Sequence, residues 1–314
     1  MTQPVTGHVP EPSRVVCVTG HEFGIRAFEG ILSSPAFLDG HIEVPLLIGL
    51  DAELAGGTVG YRSVQPLATE YGIPHVFTTD GRLTSLADTI RECRPHYLLV
   101  IGWSRLVPPE VLAIPGGDDG SSDRGGFGCI GMHPTRLPFG RGQAPIPWTI
   151  IKGLDNTALS VFFLEAGADT GSVIAQHELD VHPRETASSL FHRIAATHFT
   201  AGMELAAGLG RREIPSRPQD PATATVWGKR RPADGEITAA MSSAEIDALV
   251  RALLGPYPRA FVTIEGRSHQ IGAVGSVRPI GDHTEAAVVA ADRVHFPCRD
   301  GVVTLLLATS KITR

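Results

Sequence analysis

The feature that most restricts the fold of this chain is an alternation. Short runs of β-branched and leucine-rich residues are each followed by a helical pattern. Arg14 to Thr19 (RVVCVT) is apolar on both faces and stops at Gly20. The turn His21-Glu22-Phe23-Gly24 leads into a helix expected through about Leu32. Glu43 to Leu50 (EVPLLIGL) reads as a second strand, with Pro45 at its start or at a bulge. Gln65 to Tyr71 predicts a helix and His75 to Phe77 a short strand. Thr84 to Cys93 reads as an amphipathic helix, and Tyr97 to Ile101 (YLLVI) as another buried strand. A strand without a polar face is covered on both sides, and strands alternating with helices are joined by crossovers. The pattern predicts an α/β fold with a mostly parallel sheet and helices on both faces.

Length and charge narrow the reading further. A chain of 314 residues has room for about two domains at roughly 150 residues each. Its net charge of −6 gives no global basic signature for nucleic acid, and a local patch is left open. Cys17, Cys93, Cys129 and Cys298 form no Cys-x-x-Cys pair, so zinc-finger and redox-motif readings lack support. No apolar run approaches the roughly 18 residues that span a bilayer. The absence of a signal peptide fits a reducing cytoplasm.

Further along, Gly116 to Gly126 (GGDDGSSDRGG) cannot bury a core and reads as a loop, either a lid or a plain surface insertion. Ala144 to Gly153 and Thr186 to Leu209 are expected helices, and Leu159 to Leu164 and Val173 to Leu179 expected strands. Arg212 to Ala224 is polar and proline-rich and reads as a linker. Beyond it, Ser243 to Leu254 is an expected helix with Ser242 or Ser243 as cap. Ala260–Ile264, His269–Val274, Ala286–Ala290 and Val302–Ala308 are short expected strands. One helix and several short strands predict a small barrel-like β domain. The expected organisation is an arm over 1–13, a catalytic domain over 14–210, a linker over 211–226 and the β domain over 227–314.

Two stretches carry chemistry. Gly131-Met132-His133-Pro134-Thr135-Arg136-Leu137-Pro138 delivers a histidine at the end of an apolar strand, and the prolines stop the strand there. Ala168-Asp169-Thr170-Gly171 supplies a carboxylate. Taken singly, a strand-end histidine and a turn aspartate are more often structural. Together they fit acyl transfer to an amine, which needs a base for the nucleophile's proton and a donor for the developing oxyanion. His133 serves as base and, once protonated, as donor. Asp169 raises its basicity, orients it or positions a water, which Thr135 could hold. No Gly-x-Ser-x-Gly, Walker loop or correctly placed Gly-x-Gly-x-x-Gly competes with this reading.

His-Pro-Thr-x-Leu-Pro, then Arg-Gly-x-Ala-Pro-Ile, then Gly-x-Asp-Thr-Gly resemble the signature of the folate-dependent formyltransferases. That family includes enzymes acting on methionyl-tRNA, glycinamide ribonucleotide and amino sugars. Arg230 to Ile237 (RRPADGEI) and Arg251 to Phe261 (RALLGPYPRAF) are similar to the post-linker domain of its tRNA and sugar members. The resemblance implies a Rossmann-like catalytic domain that binds 10-formyltetrahydrofolate, without a metal, followed by a small open, OB-like β-barrel. It puts His133 and Asp169 on the family's catalytic pair. It places the pterin against Gly102–Val107, with Trp103 and the Leu106 backbone as contacts, and has the loop from Glu165 and Ala166 to Asp169 close the other side.

One position departs from the family pattern Asn-x-His: Gly131 stands where the asparagine amide would meet the formyl oxygen. Losing one oxyanion donor costs about 10²–10³ in rate where it has been tested. Three explanations are open. A replacement donor could come from a backbone N–H, with Gly131 and Met132 at the oxyanion position, from a water in the space left by glycine, or from Gln143. The acyl donor could differ. Or the chain could bind folate, or hydrolyse its formyl derivative, without efficient transfer. The expected acceptor is a small amine, such as a nucleotide-linked amino sugar or a secondary-metabolite intermediate, with methionyl-tRNA second. A patch from Arg211, Arg212, Arg217, Lys229, Arg230 and Arg231 would favour tRNA. DNA and membrane are not expected partners, and homodimerisation is left open.

Overall fold

The computed structural model describes residues 11–116, 127–279 and 286–308. Most of the expected arm, and the glycine-rich loop from position 117 on, lie outside them. The chain forms two compact units. One comprises Met1–Pro138, Leu159–His177 and Ile194–Ala224; the other comprises Phe139–Ala158, Glu178–Arg193 and Thr225–Arg314.

A mixed, mainly parallel sheet dominates the first unit. Its strands are β1 (Ser13–Thr19), β2 (Leu47–Leu50), β3 (His75–Thr78), β4 (Tyr97–Val100), β5 (Gly128–His133), β6 (Asn156–Phe163) and β7 (Val173–Asp180). Their order is β3-β2-β1-β4-β5-β6-β7. The pairs from β3 through β5 are parallel, and β5 meets β6 antiparallel. The order reverses between β1 and β4, where an open α/β sheet leaves a crevice at its carboxyl edge. The expected single strand from Glu43 to Leu50 is broken. Ile42–Glu43 pairs with the start of β1, and the ladder resumes only at Leu47. Pro45 has no N–H to continue it. The expected helix over 84–93 is likewise divided, into a 3₁₀ turn at Thr84–Leu86 and an α-helix at Ala87–Glu92.

Helices α1 (Glu22–Leu32) and α2 (Gln65–Tyr71) match their patterns, and α3 (Pro145–Ile151) and α4 (Ala187–Arg211) lie within a residue or two of theirs. Two glycines decide how α1 meets the second half of α4. A Cβ on Gly30 would lie 2.1 Å from the Phe199 carbonyl oxygen, and one on Gly202 would lie 2.1 Å from the Ala27 carbonyl oxygen. The two backbones therefore touch.

Beside that crossing, His198 stacks on Phe23 with ring centroids 4.5 Å apart. Its Nδ1–H donates to the Ile194 carbonyl at 2.7 Å, and its buried Nε2 has no hydrogen-bond partner among the described residues. Burial pushes His198 down to about 3, helped by the nearby His21 and His177. Burial also pushes His21 down to about 4, against the pull of Glu22. Both rings are held neutral in the fold and titrate normally when unfolded, so the unfolded chain binds more protons below about pH 6.5 and stability falls with pH. We expect His198 alone to remove about 3 kcal/mol between pH 6.5 and pH 4. Urea unfolding across that range, on the parent and on His198→Leu, checks this. Equal pH slopes in the two proteins would contradict it.

The second unit contains α5 (Ser243–Ala252) and an antiparallel sheet of β8 (Phe261–Ile264), β9 (Arg267–Arg278), β10 (Val288–Val289), β11 (Arg293–Cys298) and β12 (Gly301–Leu307). The strand order is β8-β9-β12-β11-β10. The sheet curls around α5 as an open half-barrel, and Ile246, Leu249, Val250, Val262, Ile271, Val294, Val303 and Leu305 fill its core. A capping box starts α5: the Glu245 N–H donates to Ser242 Oγ at 3.2 Å, and the Ser242 N–H donates to the Glu245 carboxylate at 2.7 Å. The sequence reading missed β11. Its Val294, Phe296 and Cys298 do alternate inward, but Pro297 disguises a strand of the ladder. Among the described residues, no helix is long and apolar enough to cross a membrane.

Candidate active site

His133 ends β5 at the carboxyl edge of the sheet. Side chains alternate along a strand, so Gly131 and His133 share one face while the Met132 side chain takes the other. Across the ladder, Gly131 is opposite Phe162 and His133 is opposite Ser160. The histidine is 8% exposed. Its Nδ1 lies 3.8 Å from Asp169 Oδ2, so the structure brings together the two groups singled out in the sequence. That distance is a charge contact, longer than a hydrogen bond.

The segment after His133 is held from below by a chain of polar side chains. Ser160 Oγ donates to the Thr135 carbonyl at 2.6 Å and accepts the Leu137 N–H at 3.1 Å. Gln176 Nε2 donates to the Leu137 carbonyl and to Ser160 Oγ, each at 2.9 Å. Arg217 in turn donates to Gln176 Oε1 at 2.5 Å. Thr135 Oγ1 is buried and has no hydrogen-bond partner among the described residues. A hydroxyl in that state costs about 1–3 kcal/mol, which a bound polar group beside it would offset.

Asp169 sits in the turn between β6 and β7 with a left-handed backbone, φ 55°. Aspartate tolerates that region better than most residues. Thr170 Oγ1 donates to the Gly167 carbonyl at 3.1 Å. A Cβ on Gly171 would lie 1.8 Å from the Phe163 carbonyl oxygen, so the turn is pressed against the end of β6. Glu165 and Ala166 are exposed on the same loop.

A Cβ at Gly131 would lie 2.6 Å from Leu164 Cδ2, the movable end of a leucine side chain. An asparagine at 131 would require Leu164 to move, and the wall beside His133 is apolar. Leu164 and Trp103 both pack against the apolar cluster on this face of the sheet. Trp103, Ser104 and Arg105 also line a cleft of about 130 Å³ with Gly20, Leu50 and Thr58, at the point where the strand order reverses. Leu106 projects into solvent. Gln143 belongs to the second unit, where its N–H donates to the Trp227 carbonyl at 3.1 Å.

Of the residues in the expected basic patch, Arg212, Arg217 and Arg230 each have partners within their own unit. Arg212 donates to the carbonyls of Glu11 and Pro12, and Arg217 to Gln176, all within the first unit. Arg230 lies in the second unit over the Trp148 ring, 4.9 Å from its centroid, and donates to the Asp234 carbonyl. Sequence reasoning missed Ser160, Leu164, Gln176 and Gln219. The only local signal was Ser160, a hydroxyl inside the otherwise apolar run Ala158 to Phe163.

Residues 67–205 match the formyl transferase family and residues 229–311 match its C-terminal domain. The methionyl-tRNA formyltransferase of Desulfotalea psychrophila is 29% identical over 248 residues, which is 79% of this chain and 71% of that protein. This chain belongs to the folate-dependent formyltransferase family. The fold of the formyltransferase agrees with that of WlaRD, a sugar 3N-formyltransferase solved with dTDP and 5-N-formyl-THF. The TM-score is 0.66 at 13% identity, covering 96% of this chain and 99% of WlaRD. The methionyl-tRNA formyltransferase from Clostridium thermocellum superposes with a TM-score of 0.55 at 19% identity, covering 95% of this chain and all of that one. The parallel sheet and the curled half-barrel of this formyltransferase are thus the architecture of the family.

Proposed function

We propose that the enzyme transfers the formyl group of 10-formyltetrahydrofolate to the amine of a small molecule, with His133 as base and then acid and Asp169 orienting it. The observation that carries this reading is the 3.8 Å approach of Asp169 to His133 at the carboxyl edge of the sheet. The folate supplies an activated formyl group. His133 takes the proton that the amine nitrogen loses as it becomes an amide and returns it to the folate nitrogen whose bond to the formyl carbon breaks, while Asp169 orients the ring. Gly131 carries no side-chain amide for the oxyanion, and protonated His133 is the donor proposed in its place. Thr135, with its unpartnered buried hydroxyl, suits a polar group of the ligand or a water. Trp103, the Leu106 backbone, Glu165 and Ala166 form the proposed pterin surroundings, and Gln143 remains a candidate contact.

A nucleotide-linked amino sugar or a biosynthetic amine is favoured as acceptor because the chain's net charge of −6 gives no global attraction for a polyanion such as tRNA. Methionyl-tRNA is the second reading, because the relatives at 26–32% identity carry that name. Incubation with 10-formyltetrahydrofolate, alone, with a panel of amino sugars and amines, and with methionyl-tRNA, separates the cases by tetrahydrofolate release. Release that depends on a small amine supports the proposal. Dependence on tRNA replaces the acceptor, and release without any amine replaces transfer with hydrolysis. Folate binding without release in any arm overturns the catalytic reading.

A further inference from the structure

The stretch read from sequence as a linker carries a residue that reaches the candidate site. We propose that Gln219 is a positioning residue for Asp169, an inference that rests on the role given to Asp169 above. Gln219 Nε2 donates to the Asp169 carbonyl at 2.9 Å and to the Gly171 carbonyl at 2.7 Å. A primary amide carries two N–H donors on one nitrogen, and here both are used across a single turn. The turn needs such a clamp. Asp169 holds a left-handed backbone, φ 55°, which a non-glycine residue keeps only where the surroundings over-determine it.

Gln219 follows an isolated antiparallel bridge that fixes its stretch of chain. Two residues earlier, the Arg217 N–H donates to the Val173 carbonyl and the Val173 N–H donates to the Arg217 carbonyl, both at 2.8 Å. Val173 opens β7, the strand into which the Asp169 turn runs. The chain beyond α4 therefore pairs with the exit of the turn and places the amide beneath the turn itself. The Gln219 amide holds the backbone carbonyls of Asp169 and Gly171, so it acts through the position of the carboxylate. A carboxylate 3.8 Å from the imidazole is sensitive to small displacements, since a misplacement of about 1 Å costs on the order of 10²-fold in rate.

The test uses the full chain as Gln219→Ala and Gln219→Asn, with Asp169→Asn in parallel. Two readouts are taken: steady-state kinetics with the acceptor that supports turnover, and amide hydrogen exchange with 10-formyltetrahydrofolate absent. We expect kcat of both Gln219 variants to fall about 10- to 100-fold while both KM values stay within about threefold. We expect exchange at residues 165–173 to accelerate about tenfold or more, with β1, β4 and β5 unchanged. Unchanged exchange in the turn overturns the clamp whatever the activity. Faster exchange with undiminished kcat, while Asp169→Asn is inactive, overturns the positioning role and leaves Asp169 in place. Full activity in Asp169→Asn removes the role of Asp169 and this inference with it.

Discussion

His133→Ala is expected to lower kcat by about 10³-fold, the middle of the range for removing a general base. The loss should appear in kcat and not in the KM of the folate, because the imidazole at the end of β5 is assigned to proton transfer and to the developing oxyanion. The effect should exceed that for a base with a separate oxyanion donor, since the ring is proposed to serve both steps. The variant should fold: His133 is a strand-end residue, the β5 ladder with β4 and β6 is made by backbone groups, and the thermal midpoint should fall by only a few degrees. Steady-state kinetics and a melting curve on one preparation check both halves. Near-parent kcat would falsify the assignment of the base.

Gly202→Leu should act on the fold and not on the chemistry. A side chain at 202 would begin 2.1 Å from the Ala27 carbonyl oxygen, and the obstacle is helix backbone rather than the tip of a flexible side chain. Neither helix can yield locally, because α1 buries Ala27, Phe28 and Ile31 on its inner face while α4 buries Ala201, Leu205 and Ala206. Separating them opens this layer and loosens the stacking of His198 on Phe23. We expect a loss of roughly 3 kcal/mol or more, at the upper end for overpacked interiors, with kcat per folded molecule unchanged. Chemical denaturation gives the stability, and active-site titration gives the folded fraction. A midpoint within error of the parent would show that the two helices can part without cost.

Much of the fold follows from local pattern. β1 and β4 are apolar on both faces and became central parallel strands, and the Ser242–Glu245 pair began a helix where its spacing placed one. Local pattern failed where proline conceals or interrupts a strand, as at Pro297 in β11 and Pro45 before β2. At the candidate site, His133 and Asp169 were visible because residue type, flanking prolines and turn glycines mark them. Their surroundings were not. Ser160, Gln176 and Arg217 support the segment after His133 from three separate parts of the chain, and none of them lies in a recognisable motif.

By itself the sequence determined where most of the strands and helices lie, that a histidine would stand at a strand end, and that a carboxylate would sit in a glycine turn. These depend on side-chain periodicity, capping and the backbone limits of proline and glycine, which act over a few residues. Only the tertiary structure decided that the carboxylate lies 3.8 Å from the imidazole, that Leu164 lies beside Gly131, and that Gln219 bonds to the turn. Those are contacts between residues far apart in the chain, and their distances exist only once the sheet has set its strand order and the core has closed.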